Sequence, residues 1–325
     1  GAMGRRSSDS APSAHGRFWL GAACALAGAT LWGFSGACIQ FLVEGYAVSS
    51  AFISFTRAAT AAVLFLALVL ATRREALLSL LGSRAARRTL MLFGVGLYLS
   101  QITYAISIEM TNAGTATVLQ ATCTVFVMLF TCLRARRLPR PTDFAGLVAA
   151  LAAAALIATQ GDWGVIVLPA AGLAWSIANA LSETLYIMAP QRLYGRWDRV
   201  TIIGVGMVVS GVAAAIVWLA AAAASLSPAP GAASLVPELD AVGWLALIGG
   251  VGVLGTFAAF GLFLYGVSLV GSVRGSLLGV AEPVGAMVIA AVWLGTPFSA
   301  ADWGGLVLMA AMIALVSLSG SREKR

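Results

Sequence analysis

Long apolar segments follow one another along most of this chain, and no other feature constrains its fold as strongly. A helix needs roughly 20 mostly apolar residues to cross the hydrocarbon core of a membrane, and runs of that length predict about ten transmembrane helices. The sequence therefore predicts an all-α membrane protein. The predicted helices are 18–43, 51–72, 89–108, 115–133, 142–160, 164–188, 200–224, 241–267, 271–294 and 300–319.

The composition excludes an ordinary soluble protein. Hydrophobic residues make up 60% of the chain and charged residues only 10%, whereas a soluble domain carries about 25% charged residues. So few charges cannot cover a surface that faces water. The cysteines lie inside apolar runs and lack the spacing of metal ligands. We therefore expect no metal, no disulfide framework and no cofactor.

The basic residues predict how the helices are oriented. Arg and Lys are retained on the cytoplasmic side of a bacterial inner membrane. Of the 20 basic residues, all except Arg57 and Arg274 fall at alternate helix ends, as in 73–88, 134–140 and 192–199. The opposite loops carry acidic residues. Both termini are predicted to be cytoplasmic, and the net charge of +7 reflects membrane orientation rather than nucleic-acid binding.

The two ends of the chain are polar. Residues 1–4 (Gly-Ala-Met-Gly) look like the remnant of an expression tag, and we expect 1–16, including His15, to form a disordered cytoplasmic tail. Residues 321–325 form a second short cytoplasmic tail. We expect no cleavable signal peptide.

Two halves of the chain resemble each other. Residues 143–147 (Asp-Phe-Ala-Gly-Leu), which open the fifth predicted helix, are similar to 302–306 (Asp-Trp-Gly-Gly-Leu), which open the tenth. Residues 31–35 (Leu-Trp-Gly-Phe-Ser) of the first helix pair loosely with 173–176 (Leu-Ala-Trp-Ser) of the sixth.

This similarity predicts two repeats of five helices, at 17–160 and 161–320. Because five is an odd number, the second repeat must enter the membrane in the opposite direction. Inverted repeats are typical of transporters that expose a central site to each side in turn.

Ionisable side chains at membrane depth are expensive, so each one is a functional candidate. Arg57 can serve as a ligand or can bind a backbone carbonyl. Arg274 lies near the cytoplasmic end, where snorkelling is favoured. Glu282 is the deepest acid, and Pro283 beside it removes a backbone donor, as in a hinged helix. Two interpretations of Glu282 stay open: a hinge acid that exchanges protons, and a glutamate that hydrogen-bonds a neighbouring helix.

Polar side chains also recur on single faces of the predicted helices. Such stripes avoid lipid, so they surround a polar cavity or form interhelical hydrogen bonds. The sixth helix carries Trp175, Asn179, Ser182, Glu183 and Tyr186 at this spacing, the fourth Thr117, Gln120, Thr124 and Thr131, and the third Tyr98 and Gln101.

Several of these residues are similar to those of the drug/metabolite transporter superfamily, in its ten-helix EamA-type branch, over 17–320. Residues 31–33 (Leu-Trp-Gly) resemble the first-helix motif of that family, and Arg57 after 55–56 resembles its second-helix arginine. Trp175 resembles its sixth-helix tryptophan. The most specific match is 281–283 (Ala-Glu-Pro), which resembles the Glu-Pro step of the ninth helix.

The resemblance implies export of metabolites, with amino acids, including aromatic ones, as the best-known cargo. The chain departs from the pattern at 294–296 (Leu-Gly-Thr), where relatives often carry Leu-Gly-Glu, and the corresponding acid after the fourth helix is also missing. These departures weaken the transfer of any one relative's substrate.

Together these observations predict a central substrate cavity. Aromatic side chains would contact the apolar part of the substrate, while Gln101 and Asn179 would orient its polar groups. The predicted substrate-binding residues are Trp32, Tyr98, Gln101, Gln120, Trp175, Asn179, Glu183 and Glu282, and the predicted hinge or coupling residues are Glu282, Pro283 and Arg57.

The sequence thus predicts a secondary transporter of the inner membrane whose partners are a small-molecule substrate and the bilayer. No ATP-binding domain is found, so a gradient, with protons as a candidate coupling ion, would have to drive transport. One alternative is a proton-coupled efflux carrier for drugs or organic cations. An intramembrane enzyme is a weaker alternative, since Glu183 and Glu282 are the acids at membrane depth and no histidine accompanies them.

Overall fold

The computed structural model describes residues 13–225 and 236–322, and every regular element within them is helical. The helices are α1 (Ala14–Tyr46), α2 (Ser50–Thr72), α3 (Arg74–Gly82), α4 (Arg84–Met110), α5 (Ala113–Gln120), α6 (Cys123–Arg134), α7 (Pro141–Thr159), α8 (Ala170–Met188), α9 (Arg199–Ser225), α10 (Ala241–Trp244), α11 (Ala259–Val270), α12 (Ser272–Leu278), α13 (Ala281–Leu294) and α14 (Ala300–Arg322). A 3₁₀-helix at Ala189–Arg192 follows α8, and a π-helix at Leu245–Ala258 joins α10 to α11.

The predicted fold class is confirmed. Nine helical segments in the described residues are long and apolar enough to cross a membrane. The remaining predicted span corresponds to α8, which has 19 residues. It is less apolar than the others because its polar stripe, including Asn179 and Glu183, runs along its length.

The ends of several helices differ from the prediction. Helix α1 begins at Ala14, so His15 lies in a helix, where its Nε2 accepts a hydrogen bond from Trp19 Nε1 at 2.9 Å. Residues 1–12 and 323–325 lie outside the described residues. Helix α8 begins at Ala170 rather than at 164. A short helix that was not predicted, α3, connects α2 to α4.

The fourth and ninth spans are each broken near their middle. The first break separates α5 from α6, and there the Thr122 hydroxyl donates to Leu119 O at 2.7 Å. The second separates α12 from α13, just before Pro283. Because proline lacks an amide hydrogen, it cannot make the helical bond to Gly279 O. At both breaks the backbone bonds shorten to a three-residue spacing, as from Thr122 N to Leu119 O at 3.1 Å and from Glu282 N to Gly279 O at 3.1 Å.

The two halves adopt matching local structures. Asp143 accepts a hydrogen bond from Arg140 N at 3.0 Å, and Asp302 accepts one from Ser299 N at 2.9 Å. The same spacing along the chain relates α5 to α12, since Ala113 and Ser272 are their first residues. It also relates two backbone positions with positive φ, Arg136 and Gly295.

The first and sixth spans correspond in a different register from the predicted one. Gly28 of α1 packs against Ala259 O, and Asn179 of α8 donates to Ser100 O at 2.8 Å. Ser100 and Ala259 have the spacing that relates the other helices of the two halves. Gly28 therefore corresponds to Asn179.

A second pair of contacts supports this register. Ser35 packs against Gly255, and Tyr186 packs against Gly96, at the same two spacings. Trp32 consequently corresponds to Glu183, and the predicted pairing of 31–35 with 173–176 is wrong. The predicted pairing followed residue type, whereas the packing contacts between helices set the register.

The bundle has two chemically distinct ends. At one end, called here the acidic end, Tyr46 donates to Asp240 at 2.6 Å, Ser50 to Glu109 at 2.9 Å and Gln160 to Asp302 at 2.8 Å. At the other, the basic end, Arg73 forms an ion pair with Asp198 at 3.0 Å and Arg140 donates to Ser319 O at 2.6 Å. Helices pack tightly between these ends, notably α2 with α9, α7 with α14, and α4 with α8.

Candidate functional site

A cavity of about 300 Å³ lies inside the bundle, next to both helix breaks. It extends from the middle of α1 to the basic end, where Gln191 and Tyr194 border it. Its walls are both polar and aromatic. The main lining side chains are Trp32, Phe93, Thr117, Gln120, Cys123, Thr124, Glu183, Tyr186, Gln191, Tyr194, Phe260, Phe263, Ser276, Glu282 and Pro283.

A smaller pocket of about 60 Å³ adjoins this cavity on its deep side. It adds Ser35, Arg57, Gln101 and Tyr104 to the polar lining. Both spaces are bordered by Trp32, Gln120, Glu183, Tyr186, Phe260 and Glu282, so they form one site.

Glu183 projects into this site from α8. Its Oε1 accepts a hydrogen bond from Tyr186 Oη at 3.3 Å. Its Oε2 is buried and lacks a hydrogen bond of good geometry, with Cys123 and Gln120 as polar neighbours on the cavity wall. A buried carboxylate oxygen in this condition is an expected contact for a ligand donor.

Glu282 lies in the first turn of α13, beside Pro283, and borders both spaces. Gly33 of α1 packs directly on the backbone of Glu282 and Ala286. The close approach of the two helices explains why residue 33 is a glycine, since any Cβ there would collide with the α13 backbone.

Arg57 is held by the π-helix. Its Nε donates to Thr256 Oγ1 at 2.7 Å and its Nη2 donates to Gly255 O at 3.2 Å. The Thr256 hydroxyl in turn donates to Val251 O at 2.9 Å. These bonds fix a buried guanidinium group, 7% exposed, at the edge of the smaller pocket.

Two further polar groups complete the deep wall. Gln101 Oε1 is buried and has no hydrogen-bond partner among the described residues. Tyr104 Oη shares a 2.6 Å hydrogen bond with Thr117 Oγ1, which joins α4 to α5. The deep wall therefore presents a guanidinium, an amide and hydroxyl groups.

Another part of the site's lining is aromatic. The Trp32 ring lies 4.9 Å from the ring centroids of both Phe260 and Phe263, which come from α11. Tyr194 borders the cavity at the basic end, where burial raises the pKa of its hydroxyl to about 12. An apolar ring or chain of a ligand could pack against these surfaces.

The structure brings five of the eight predicted substrate-binding residues together around one space, along with Arg57 and Pro283, and it places the other three elsewhere. Tyr98 packs in a separate apolar cluster with Ala58 and Ala214. Asn179 is fully buried but donates to Ser100 O and Thr103 Oγ1 of α4. Trp175 is 38% exposed on the outside of the bundle. The residues at the cavity are Trp32, Arg57, Gln101, Gln120, Glu183, Glu282 and Pro283.

Helix geometry explains why the polar stripe of α8 faces three different environments. Residues eight positions apart on an α-helix differ by about 80° in direction, because each turn takes 3.6 residues. Trp175 therefore faces outward while Glu183 faces the cavity, and Asn179 between them faces α4. Sequence reasoning missed Phe260, Phe263 and Tyr104, since aromatic residues in apolar runs give no signal that distinguishes a cavity from a core.

Comparisons with known proteins agree with this architecture. Residues 19–159 match the EamA-like transporter family, and residues 170–318 match the same family a second time. The chain belongs to the EamA-like transporter family. The two matched segments begin at equal distances before Gly28 and before Asn179, which agrees with the register given by the packing contacts.

This EamA-like chain is 29% identical over 305 residues to the "Uncharacterized inner membrane transporter YicL" of Salmonella typhimurium (strain LT2), with 92% of this chain and 96% of the relative covered. A crystal structure of another protein shares the fold with a TM-score of 0.56 at 18% identity, over 89% of this chain and 97% of that one. The predicted family is confirmed, and the chain is a multi-pass membrane transporter.

Proposed function

We propose that this EamA-like transporter exports small organic metabolites, with amino acids as the first candidates, by alternating access of its two inverted repeats. The observation that carries the proposal is the composition of the central site. Glu183 and Glu282 provide carboxylates for an ammonium group, and Arg57, Gln101 and Gln120 provide donors for a carboxylate.

The aromatic wall suits the remaining part of such a substrate. Trp32 packs against both Phe260 and Phe263, and all three line the site beside these polar groups. A hydrophobic or aromatic amino acid has the matching arrangement of an ammonium, a carboxylate and an apolar side chain. Burial of its apolar side chain in the site would favour binding by about 25 cal/mol for each Å² of apolar surface removed from water.

The charge balance favours a second candidate, proton-coupled efflux of organic cations. Two carboxyl groups face one guanidinium, so the site holds an excess negative charge when both acids are ionised. A cation without a carboxylate would neutralise that charge, and so would a proton. Because the two would compete for the same site, an organic cation could be exchanged for a proton.

The basic end indicates how the protein is oriented in the membrane. We propose that the basic end faces the cytoplasm of a bacterial cell and that both termini lie there, because Arg and Lys are retained on that side. The cavity then opens inward in this conformation, with the hydrogen-bonded acidic end closed toward the periplasm. Protease cleavage of a tag added after Arg325 in right-side-out and inverted vesicles tests the orientation.

Uptake into proteoliposomes distinguishes the two candidates. Phenylalanine and phenylalaninamide share a ring and an ammonium group, but the amide lacks the carboxylate. Saturable transport of phenylalanine alone supports the amino-acid site, and transport of the amide alone supports the cation carrier. If neither compound, nor any member of a panel of amino acids, cationic drugs and nucleosides, is transported at two pH values, metabolite export by this site is refuted.

A further inference from the structure

A buried glutamine, Gln40, links three spans at the acidic end of the transporter, beside a space of about 310 Å³ that shares no described lining residue with the central site. Gln40 Oε1 accepts a hydrogen bond from Ala113 N, the first amide of α5, at 2.8 Å. Its Nε2 donates to Thr296 Oγ1, in the turn after α13, and to Glu44 Oε1, both at 2.9 Å. With 2% of its surface exposed, Gln40 joins the first, fourth and ninth spans at one point.

The inverted repeat contains a matching set at the basic end. The spacing from Gly28 to Asn179 also leads from Gln40 to Gln191. The spacing from Asp143 to Asp302 leads from Ala113 to Ser272, the first residue of α12. The same spacing relates Arg137 to Thr296. Each of these residues follows a position with positive φ, Arg136 in the first repeat and Gly295 in the second.

Two of these matching residues, Gln191 and Arg137, border open space at the basic end in this conformation. Gln191 borders the central cavity, and its Nε2 donates to Ile187 O of its own helical segment at 2.8 Å. Arg137 borders a neighbouring space of about 310 Å³ at the basic end, together with Ile187 and Ser276. The chain that carries Gln191 also leaves the α-helical path, because α8 ends at Met188 and a 3₁₀-helix follows.

We propose that Gln191 closes the basic end in the opposite conformation, as Gln40 closes the acidic end in this one. Its Oε1 accepts from the amide of Ser272 and from the guanidinium of Arg137. Arginine only donates hydrogen bonds, so it bonds to the carbonyl oxygen, whereas Thr296 accepts from the amide nitrogen of Gln40. The inference rests on the proposed alternating access, since it assigns residues to the second of its two conformations.

The two closures exclude each other within one molecule. Each closure draws the start of a broken span toward the glutamine that faces it, and the cavity between them is open to one end at a time. Gln191 is therefore a gating residue that contacts the cavity in one conformation and seals it in the other. Because α1 is continuous through Gln40 but α8 ends before Gln191, most of the movement falls to the segment after α8.

Cross-linking of paired cysteines tests this gate without a known substrate. Cys24, Cys38, Cys123 and Cys132 are replaced by alanine, and a protease site is inserted in the loop 161–169, so that cleaved halves stay together only when cross-linked. Gln191→Cys with Arg137→Cys is the test pair. The matched control is Gln191→Cys with Leu78→Cys, since Leu78 lies exposed on α3 at the same end. Membrane vesicles receive a short bifunctional thiol reagent.

We expect the test pair to cross-link and the control pair to stay separate. Adding Gln40→Ala releases the acidic end and raises the test-pair yield at least about twofold, because it shifts the population toward the basic-closed conformation. A test-pair yield equal to the control in both backgrounds overturns the proposal, and so does a yield that Gln40→Ala leaves unchanged. Cross-linking of the test pair in a protein that transports no tested substrate refutes the proposed function and supports the gate.

Discussion

Arg57 on α2 donates to the Thr256 hydroxyl of the π-helix at 2.7 Å, and this bond holds the guanidinium in the deep wall of the central site. π-Helices are rare and are frequently found at functional sites. Here the wider turn lets the Thr256 hydroxyl bond to Val251 O, five residues earlier. It also lets Gly255 O accept from the same arginine.

Thr256→Val tests this anchor. Valine has the shape of threonine without the hydroxyl, so Arg57 loses its closest partner, and we expect a loss of about 1–3 kcal/mol in stability. Transport should fall as the guanidinium shifts. Thr256→Ser keeps the hydroxyl and should retain most activity. Thermal unfolding in detergent and proteoliposome uptake measure both effects, and equal behaviour of the two variants would refute the anchor.

Trp175→Ala should leave transport within about twofold of the wild type. Surface substitutions commonly change the free energy of unfolding by no more than about 0.5 kcal/mol. Trp175 lies outside the central site, with 38% of its surface exposed. Trp32→Ala is the matched variant, because Trp32 packs on Phe260 and Phe263 at the site. We expect only Trp32→Ala to raise the substrate KM. A similar loss from Trp175→Ala would contradict the placement.

Asn179→Leu should lower stability more than it lowers substrate affinity. The Asn179 amide is fully buried and donates to Ser100 O and Thr103 Oγ1 of α4. Interhelical hydrogen bonds in membranes contribute about 0.6–2 kcal/mol. Unfolding temperature and KM are measured together, with Ser182→Ala as a control, since the Ser182 hydroxyl donates within its own helix. A changed KM with an unchanged unfolding temperature would assign Asn179 to the binding site instead.

The fold could be predicted from the sequence because its determinants are local. Each apolar run must satisfy its own backbone hydrogen bonds in lipid, which leaves the helix as the solution. Asp143 and Asp302 identified the repeat because they cap corresponding helices in the same way. The breaks in the fourth and ninth spans are harder to predict from the sequence, since only Pro283 indicates one of them.

The site was predicted in part for a related reason. Buried charges such as Arg57, Glu183 and Glu282 are costly in membranes, so their presence alone indicated a function, and all three border the site. Trp175 was misplaced because residue type does not reveal the rotation of a helix about its axis. That rotation depends on close contacts such as Gly28 on α11, which no local pattern encodes.

Removal of one carboxyl tests proton coupling. If Glu282 carries the proton that is exchanged for the substrate, Glu282→Gln should flatten the dependence of transport on pH. Counterflow exchange of substrate for substrate should stay intact. The groups that face it across the site are Glu183, Arg57, Tyr104 and Tyr186, so Glu183→Gln is measured in parallel. An unchanged pH dependence in Glu282→Gln would exclude this residue as the proton carrier.

Tyr46→Phe tests the link between α1 and the start of α10 at the acidic end. The hydrogen bond from Tyr46 is the largest of the effects that hold the pKa of Asp240 below its usual value, followed by the bond from Gly243 N. A lowered carboxyl pKa contributes stability above the unfolded-state pKa, and this contribution is lost as the pH falls through the folded-state value. We expect Tyr46→Phe to unfold at a lower temperature at neutral pH and to converge with the wild type in acid. A difference that stays constant with pH would mean that the ring, not the hydrogen bond, stabilises this end.

The close approach of α1 and α13 at the central site gives the sharpest packing test. A Cβ on Gly33 would lie 2.7 Å from Ala286 N and against Glu282 O, and backbone atoms cannot move aside as a flexible side chain can. Gly33→Ala must therefore push the two helices apart, at about 1–3 kcal/mol, and displace Glu282 from the site. Gly45→Ala on the same helix is the matched control, because nothing lies within 4 Å of its Cβ position. We expect Gly33→Ala alone to lose transport and to unfold at a lower temperature. Equal transport by both variants would show that α1 and α13 separate without cost to the site.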